Sequence, residues 1–264
     1  MPEFESLLIE KEGAVAHLKF NRPDKLNTFN AIMRREFVDA ARQLNLDDTV
    51  RVVILSGVGR AFGAGADLSE NPEGGLESGE EVVDSLNYEF KPGVLAIANS
   101  PKPWIAAING PCAGISYSYA MACDMVVMSE DAFLYQPFAS IGLIPDGGST
   151  WLLSKLVGNR RAFELMIFGE KLDAQKALEW GMINRIFPNT QFMASATALA
   201  EDLANRSPLA IRYTKEALKA ASTVSLDEAI SVEADLQKIC ITSLDCREAV
   251  TAFLEKRDYQ WQGR

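Results

Sequence analysis

The sequence predicts an α/β chain built on a mainly parallel sheet, with a helical C-terminal region. Three observations predict it. Strand, turn and helix recur twice with the same polarity, first from VRVVILSG and again from KPWIAAING, as expected of stacked ββα units. VRVVILSG itself is a buried strand ending at glycine. From Thr190 onward the pattern is helical, broken at Ser207-Pro208. The repeat is one of structure only, because no residue-level self-similarity accompanies it.

Two short strands open the chain, around Leu7–Lys11 and Ala14–Phe20, joined by Glu12-Gly13. The alternation in VAHLKF suits a half-buried antiparallel strand. Arg22-Pro23 stops it, and Asn27 or Thr28 can cap the helix that follows. Ile32, Phe37, Ala40, Ala41 and Leu44 form that helix's apolar stripe. After VRVVILSG comes the Gly/Ala-rich loop GRAFGAGADL, then NPEGGLESGEE, an acidic surface loop. A helix runs from about Val82 to Asn99. KPWIAAING is a strand, PCAGIS a turn, SYSYAMACD a short buried helix, and DMVVMSE and AFLYQ two more strands. Helices follow at STWLLSKLVG, RRAFELMIFG and DAQKALEWG, then a strand over Met182–Phe187. The division falls near residues 190–205, giving a core over 1–200 and a helical region over 201–264. Ala229, Val232, Leu236 and Ile239 give the tail an apolar stripe that needs a partner, either the core or a neighbouring subunit.

Composition narrows the function. The chain has 264 residues, 48% of them hydrophobic, and a net charge of −10, which opposes nucleic-acid binding. No apolar run is long enough to span a membrane. The N-terminal MPEFESLLIEKEG lacks the apolar segment of a secretory leader, so a cytoplasmic protein is expected. The four cysteines lack C-x-x-C spacing and are expected to be reduced. The single histidine, His17, lies in a strand. A Ser-His-Asp triad and a His-based zinc site therefore have no residues to use, and no metal is expected.

Two segments carry chemistry. AFGAGADL (61–68) and INGPCAGIS (108–116) each follow a strand and open a turn or helix. Small residues there let a ligand approach the main chain. Two such N–H groups converging on a point would bind an oxyanion. Tight turns packed for the fold alone would have the same composition.

AFGAGADL, INGPCAGIS followed by ACD, and IGLIPDGGST together resemble the enoyl-CoA hydratase/isomerase family, the crotonase superfamily. RPDKLNTF and AFLEKR extend the resemblance over nearly the whole chain. It implies a crotonase-like spiral of ββα units with a C-terminal helical trimerisation region, assembling as a trimer or a dimer of trimers. It implies an acyl-CoA thioester as ligand, with coenzyme A carried by the substrate and no further cofactor. The thioester oxygen would sit on the N–H groups of Ala66 and Ile115. Main chain around Ala64, Asp67 and Leu68, with Lys25 and Leu26 nearby, would line the adenine pocket. Phe253 and Lys256 would reach coenzyme A, often from the adjacent subunit.

The sequence departs from the hydratase pattern at the two glutamates that handle water and proton. Those positions are Ser118 and Phe138. Ile115 stands where glycine is commoner, and its branch would narrow the approach. Asp146 is the carboxylate the hydratase pattern lacks. Asp is favoured as a helix cap, but isomerases with a similar stretch use it to shuttle a proton. Phe138, Ile115, Ile141 and Trp151 would form an apolar wall that raises its pKa. The leading expectation is thus an enoyl-CoA isomerase, 3-enoyl to 2-enoyl or a related aromatic-derived acyl-CoA. A hydratase with relocated groups and a non-catalytic acyl-CoA-binding oligomer are the alternatives. Hydrolysis by nucleophilic Asp146 ranks below them, because it generally wants a nearby histidine.

Overall fold

The structure, a computed structural model, describes residues 4–70 and 78–264. Most of the segment expected as an acidic surface loop lies outside them. Its last residues are helical: Ser78 and Glu81 form a reciprocal capping box at the start of α2 (Gly79–Ser85).

Six strands form the main sheet: β1 (Leu7–Glu12), β2 (Val15–Phe20), β3 (Val52–Gly57), β4 (Trp104–Ile108), β6 (Met125–Ser129) and β9 (Arg185–Phe187), in the order β1-β2-β3-β4-β6-β9. Only the β1–β2 pair is antiparallel. β5 (Cys112–Ala113), β7 (Phe133–Tyr135) and β8 (Leu172–Asp173) form a smaller sheet in the order β5-β7-β8. A long strand, a short strand of the second sheet and a helix thus make a ββα unit of β4, β5 and α4 (Ile115–Met121).

The sheet is covered on both faces, which explains the unbroken apolar runs. Val53 and Leu55 pack with Trp104, Ala106 and Ile108 on the face covered by α1 (Ala31–Leu46), α3 (Lys91–Ala98) and α4. Val52 and Ile54 alternate to the opposite face, with Ile105, Ala107 and Val127, under α7 (Phe192–Ala204).

Helix α1 starts later than the sequence suggested. Its cap is Asn30, whose side chain accepts from Met33 N–H at 2.9 Å. Asn27 is used differently. It is fully buried at a φ of 56°, accepts from Arg22 N–H at 2.8 Å and donates to Val58 and Ala61 carbonyls at 3.0 and 2.8 Å. Asn tolerates this left-handed backbone better than a β-branched residue. Ile32 of the expected stripe is 40% exposed, and Met33 takes the buried position. The helix expected from Val82 to Asn99 is α2 and α3 joined through a π turn at Leu86–Phe90. The two helices read from STWLLSKLVG and RRAFELMIFG meet end to end in α5 (Ser149–Phe168), kinked at Gly158 with φ 77°. α6 (Ala174–Glu179) leads to β9.

Beyond α7 lie α8 (Pro208–Ala221), α9 (Leu226–Thr242) and α10 (Leu244–Glu255). α8 is tied to the core by Lys215, which donates to Asp124 Oδ2 at 2.7 Å and to the Lys102 carbonyl at 2.8 Å. Asp124 also accepts from Trp104 N–H at 2.8 Å, so it orders the turn before β6. α9 buries no side chain in the single chain.

Asn27→Ala should cost about 2–4 kcal/mol in a denaturant unfolding experiment, because it strands buried partners and leaves alanine at positive φ.

Candidate active site

Parallel pairing decides where the site forms. β3 and β4 are neighbours, so the loops leaving their carboxyl ends start side by side, the usual place for a ligand crevice. Asn109 fastens those ends together, accepting from Gly57 N–H at 3.2 Å and donating to the Gly57 and Gly59 carbonyls at 3.0 and 2.9 Å. The loops then zip. Phe62 and Gly63 N–H donate to the Pro111 carbonyl, both at 3.1 Å, and Ala113 N–H donates to Gly63 at 2.9 Å.

On its other edge the first loop pairs with the segment before α1. Ala64 N–H donates to the Leu26 carbonyl at 3.0 Å, Phe29 N–H to Gly65 at 2.8 Å and Asp67 N–H to Phe29 at 3.0 Å. Because the Gly65 carbonyl points at Phe29, the N–H of Ala66 in the same trans peptide points the opposite way. Gly65 has φ 98°, a conformation for glycine. The same reasoning applies to Ile115. The Gly114 carbonyl accepts from Tyr117 N–H at 3.1 Å, inside α4, so Ile115 N–H points out of that helix. Gly114 has φ 57° and ψ −132°. Among the described residues, neither Ala66 N–H nor Ile115 N–H has a hydrogen-bond acceptor.

The residues before the two donors touch. A Cβ on Gly114 would lie 3.3 Å from Gly65 Cα and 3.9 Å from the Phe138 ring. The Phe138 ring is buried at this junction. Any side chain at 114 would push the loops apart.

Asp146 enters from the turn that precedes α5. Gly147 and Gly148 follow at φ 58° and 90°, and Ser149 N–H donates to the Asp146 carbonyl at 2.9 Å. The carboxylate does not cap α5: Gly148 holds the cap position without a side-chain bond. Asp146 Oδ1 is sealed from solvent and has no hydrogen-bond partner. Burial raises its pKa to about 6, against a smaller lowering by its own backbone N–H. A Cβ on Gly147 would run into Ile115 Cδ1. The side chain of Ile115 is therefore spent against the Asp146 turn rather than across the approach to its N–H. Ser118, fully buried, bonds the Asp146 carbonyl at 3.1 Å and Ser149 Oγ at 2.7 Å, and Gln136 Nε2 donates to Ser149 at 3.4 Å. The Ser118 hydroxyl, at a position where the resemblance expects a glutamate in a hydratase, thus braces the aspartate's backbone.

The first loop has its own brace. Arg22 pairs with Asp67 at 2.8 Å. Burial alone would raise the Asp67 carboxyl, but bonds from Ser69 and Arg22 hold it down to about 2. Asp67 is committed to structure, while Asp146 keeps a free oxygen.

A family model described as enoyl-CoA hydratase/isomerase matches residues 10–264. The chain belongs to the enoyl-CoA hydratase/isomerase family. It is 36% identical over 260 residues to 1,2-epoxyphenylacetyl-CoA isomerase of Escherichia coli K12, covering 98% of this chain and 99% of that one. It is 33% identical to short-chain-enoyl-CoA hydratase of Clostridium acetobutylicum, with 97% of each covered. The structure of enoyl-CoA hydratase from Bacillus anthracis superposes with a TM-score of 0.93 at 30% identity, covering 98% of this chain and 100% of that one. The ββα architecture is accordingly the crotonase-like fold, and the chain is an acyl-CoA enzyme.

Other residues expected at the site of such an enzyme divide into two groups. Leu26 and Ala64 are hydrogen-bonded to each other, and exposed Lys25 and Leu68 flank that pairing. Ile141 and Trp151 do not join Ile115 and Phe138 in a wall. Both face solvent in the single chain, with Lys155 Nζ 4.1 Å from the Trp151 ring centre. Phe253 and Lys256 lie on and just after α10, which packs on α9, and Phe253 is 73% exposed. Nothing in the sequence places Ser116, Ser149, Gln136, Gly147 or Arg22 at the site by side chain. Serine and glutamine carry no spacing signal, since their partners come from distant segments. His17 is buried in β2, where burial lowers its pKa. Tyr117 and Tyr119 are core residues.

The Asp146 shift has a measurable consequence for stability. Its folded pKa lies above the unfolded 3.8. The protonated carboxyl therefore favours the folded state below pH ~4, and that contribution is lost as pH rises through about 6. Asp146→Asn should raise stability by about 1–2 kcal/mol at pH 8 and leave it nearly unchanged at pH 4. Thermal melts at the two pH values check this.

Proposed function

We propose that this chain is an enoyl-CoA isomerase in which Asp146 shuttles the proton and the N–H groups of Ala66 and Ile115 hold the enolate oxygen. The observation that carries the reading is the half-buried Asp146 carboxyl, on a turn packed against Ile115: its Oδ1 is sealed and unpaired, and its pKa is raised to about 6, which leaves the group's remaining surface to meet a substrate. A base of that pKa takes and returns a proton near neutral pH far better than an ordinary carboxylate.

The steps balance without a further reagent. Asp146 removes a proton from the carbon alpha to the thioester of a 3-enoyl-CoA. The C–H electron pair moves into the conjugated system, placing negative charge on the thioester oxygen, where two preset donors receive it. Each such donor is worth about 3–4 kcal/mol. Protonated Asp146 then returns the proton at the gamma carbon, and the double bond comes to lie between the alpha and beta carbons. An acyl group derived from an aromatic acid suits the same base, as the isomerase relative's name suggests. Two features weigh against hydration: Ser118 is engaged with the Asp146 backbone and Phe138 is apolar, so neither is a second carboxylate. Coenzyme A arrives with the substrate, and the scheme uses no other cofactor and no metal.

The proposal includes a cytoplasmic trimer or dimer of trimers. Among the described residues, no helix is long and apolar enough to cross a membrane. Ile141, Ile144, Trp151 and Phe163 on the core, and Ile230, Ile241, Val250 and Phe253 on the tail, are apolar and exposed in the single chain. Burial between subunits would cover them and bring Phe253 and Lys256 towards a neighbour's coenzyme A.

Asp146→Asn should lower 3-enoyl to 2-enoyl-CoA conversion by about 10³-fold or more, since the shuttle is the only base in the scheme. Undiminished turnover removes Asp146 from the mechanism. In the unsubstituted enzyme, kcat/KM should fall below an apparent pKa near 6, followed by absorbance of the conjugated thioester across a pH series.

A further inference from the structure

Two donors on separate loops serve one oxygen only if their separation holds within about half an ångström. The contact of Gly65 with Gly114 limits how close the loops come but does not hold them together. A second contact does. Ser116 Oγ accepts a hydrogen bond from Gly65 N–H at 3.1 Å, and Ser116 is fully buried. This bond joins the residue before one donor to the residue after the other.

We propose that Ser116 is a positioning residue of the oxyanion hole, its hydroxyl fixing the spacing and aim of the Ala66 and Ile115 N–H groups. The backbone of Gly65 supports this role. Its own N–H is the one bonded to Ser116, while that of Ala66 is turned away from Phe29 by the trans peptide the two residues share. Ser116 occupies the first N–H and leaves the second for the ligand, so the oxyanion meets one donor from each loop. Gly63 accommodates the device: a Cβ there would run into Ser116 Oγ. The hydroxyl therefore sits in a space that the first loop's small residues leave open for it.

The inference rests on the oxyanion-hole reading above, so its test reads the hole apart from turnover. Cinnamoyl-CoA, with its carbonyl conjugated to an aromatic ring, absorbs at longer wavelength when donors polarise that carbonyl. Butyryl-CoA, saturated, reports binding alone. In Ser116→Ala the red shift of bound cinnamoyl-CoA should shrink while butyryl-CoA affinity stays within about threefold. Isomerase kcat should fall ~10- to 100-fold with KM little changed, the loss expected from a displacement near 1 Å. Ser116→Thr keeps the hydroxyl and should recover the shift.

A full red shift and full turnover in Ser116→Ala overturn the proposal. So does a parallel loss of shift and butyryl-CoA affinity, which would make Ser116 a general structural residue. If Ser116→Ala does not fold, Ser116→Cys, with its weaker acceptor, is compared with Ser116→Thr by the same two ligands. A smaller shift in the cysteine variant supports the proposal and equal shifts overturn it. No red shift in the unsubstituted protein refutes the oxyanion-hole reading and this inference with it, whereas a shift with no isomerase activity refutes only the assigned reaction.

Discussion

The loops leaving β3 and β4 are bound to each other by main-chain hydrogen bonds before either reaches the site, and the rest of the arrangement depends on that pairing. Phe62, Gly63 and Ala113 supply its N–H groups, and Asn109 closes its base. Backbone bonds of this kind are short and directional, so they bring the two loops side by side and limit how the following residues run. Two trans peptides then aim their N–H groups outward because their carbonyls are already engaged. No side chain has to present a charge, which suits a chain with a single histidine.

The carboxylate is placed by opposite means. Asp146 sits on a turn with two glycines at positive φ, packed by Ile115 from α4 and braced by Ser118 through its carbonyl. Its Oδ1 is deprived of partners and water. Desolvation destabilises the ionised form and raises the pKa, which costs stability at neutral pH. Asp67, a few residues along the other loop, shows the contrast. Its bonds to Ser69 and Arg22 keep it ionised and fixed. Two aspartates near one site thus differ in role because one is given partners and the other is denied them.

Much of the fold was legible in the sequence. Apolar runs such as VRVVILSG mark strands covered on both faces, and periodicity marks α1 and the tail helices. The misreadings were local. Asn27 looks like a helix cap by type, but it is the tertiary approach of Val58 and Ala61 that employs its side chain. Ile32 and Met33 are equally apolar neighbours, and only the docking of α1 decides which is buried. At the site, Ala66, Ile115 and Asp146 stand in short motifs whose small residues and glycines are visible one after another. Ser116 and Ser149 stand in the same motifs, yet nothing in their type distinguishes them from surface serines.

By itself the sequence determined the architecture, the scarcity of histidine, and the placing of small residues and one carboxylate, Asp146, in short motifs. Those features follow from residue type and local spacing, which act within a few residues of chain. Only the tertiary structure decided that one carboxyl oxygen of Asp146 is sealed, that the Ile115 side chain packs on its turn, and that Ser118 and Ser116 brace the two halves of the site. These contacts join residues about 30 to 50 positions apart, and their distances are set by the packing of parallel strands and short loops, a property no local pattern records.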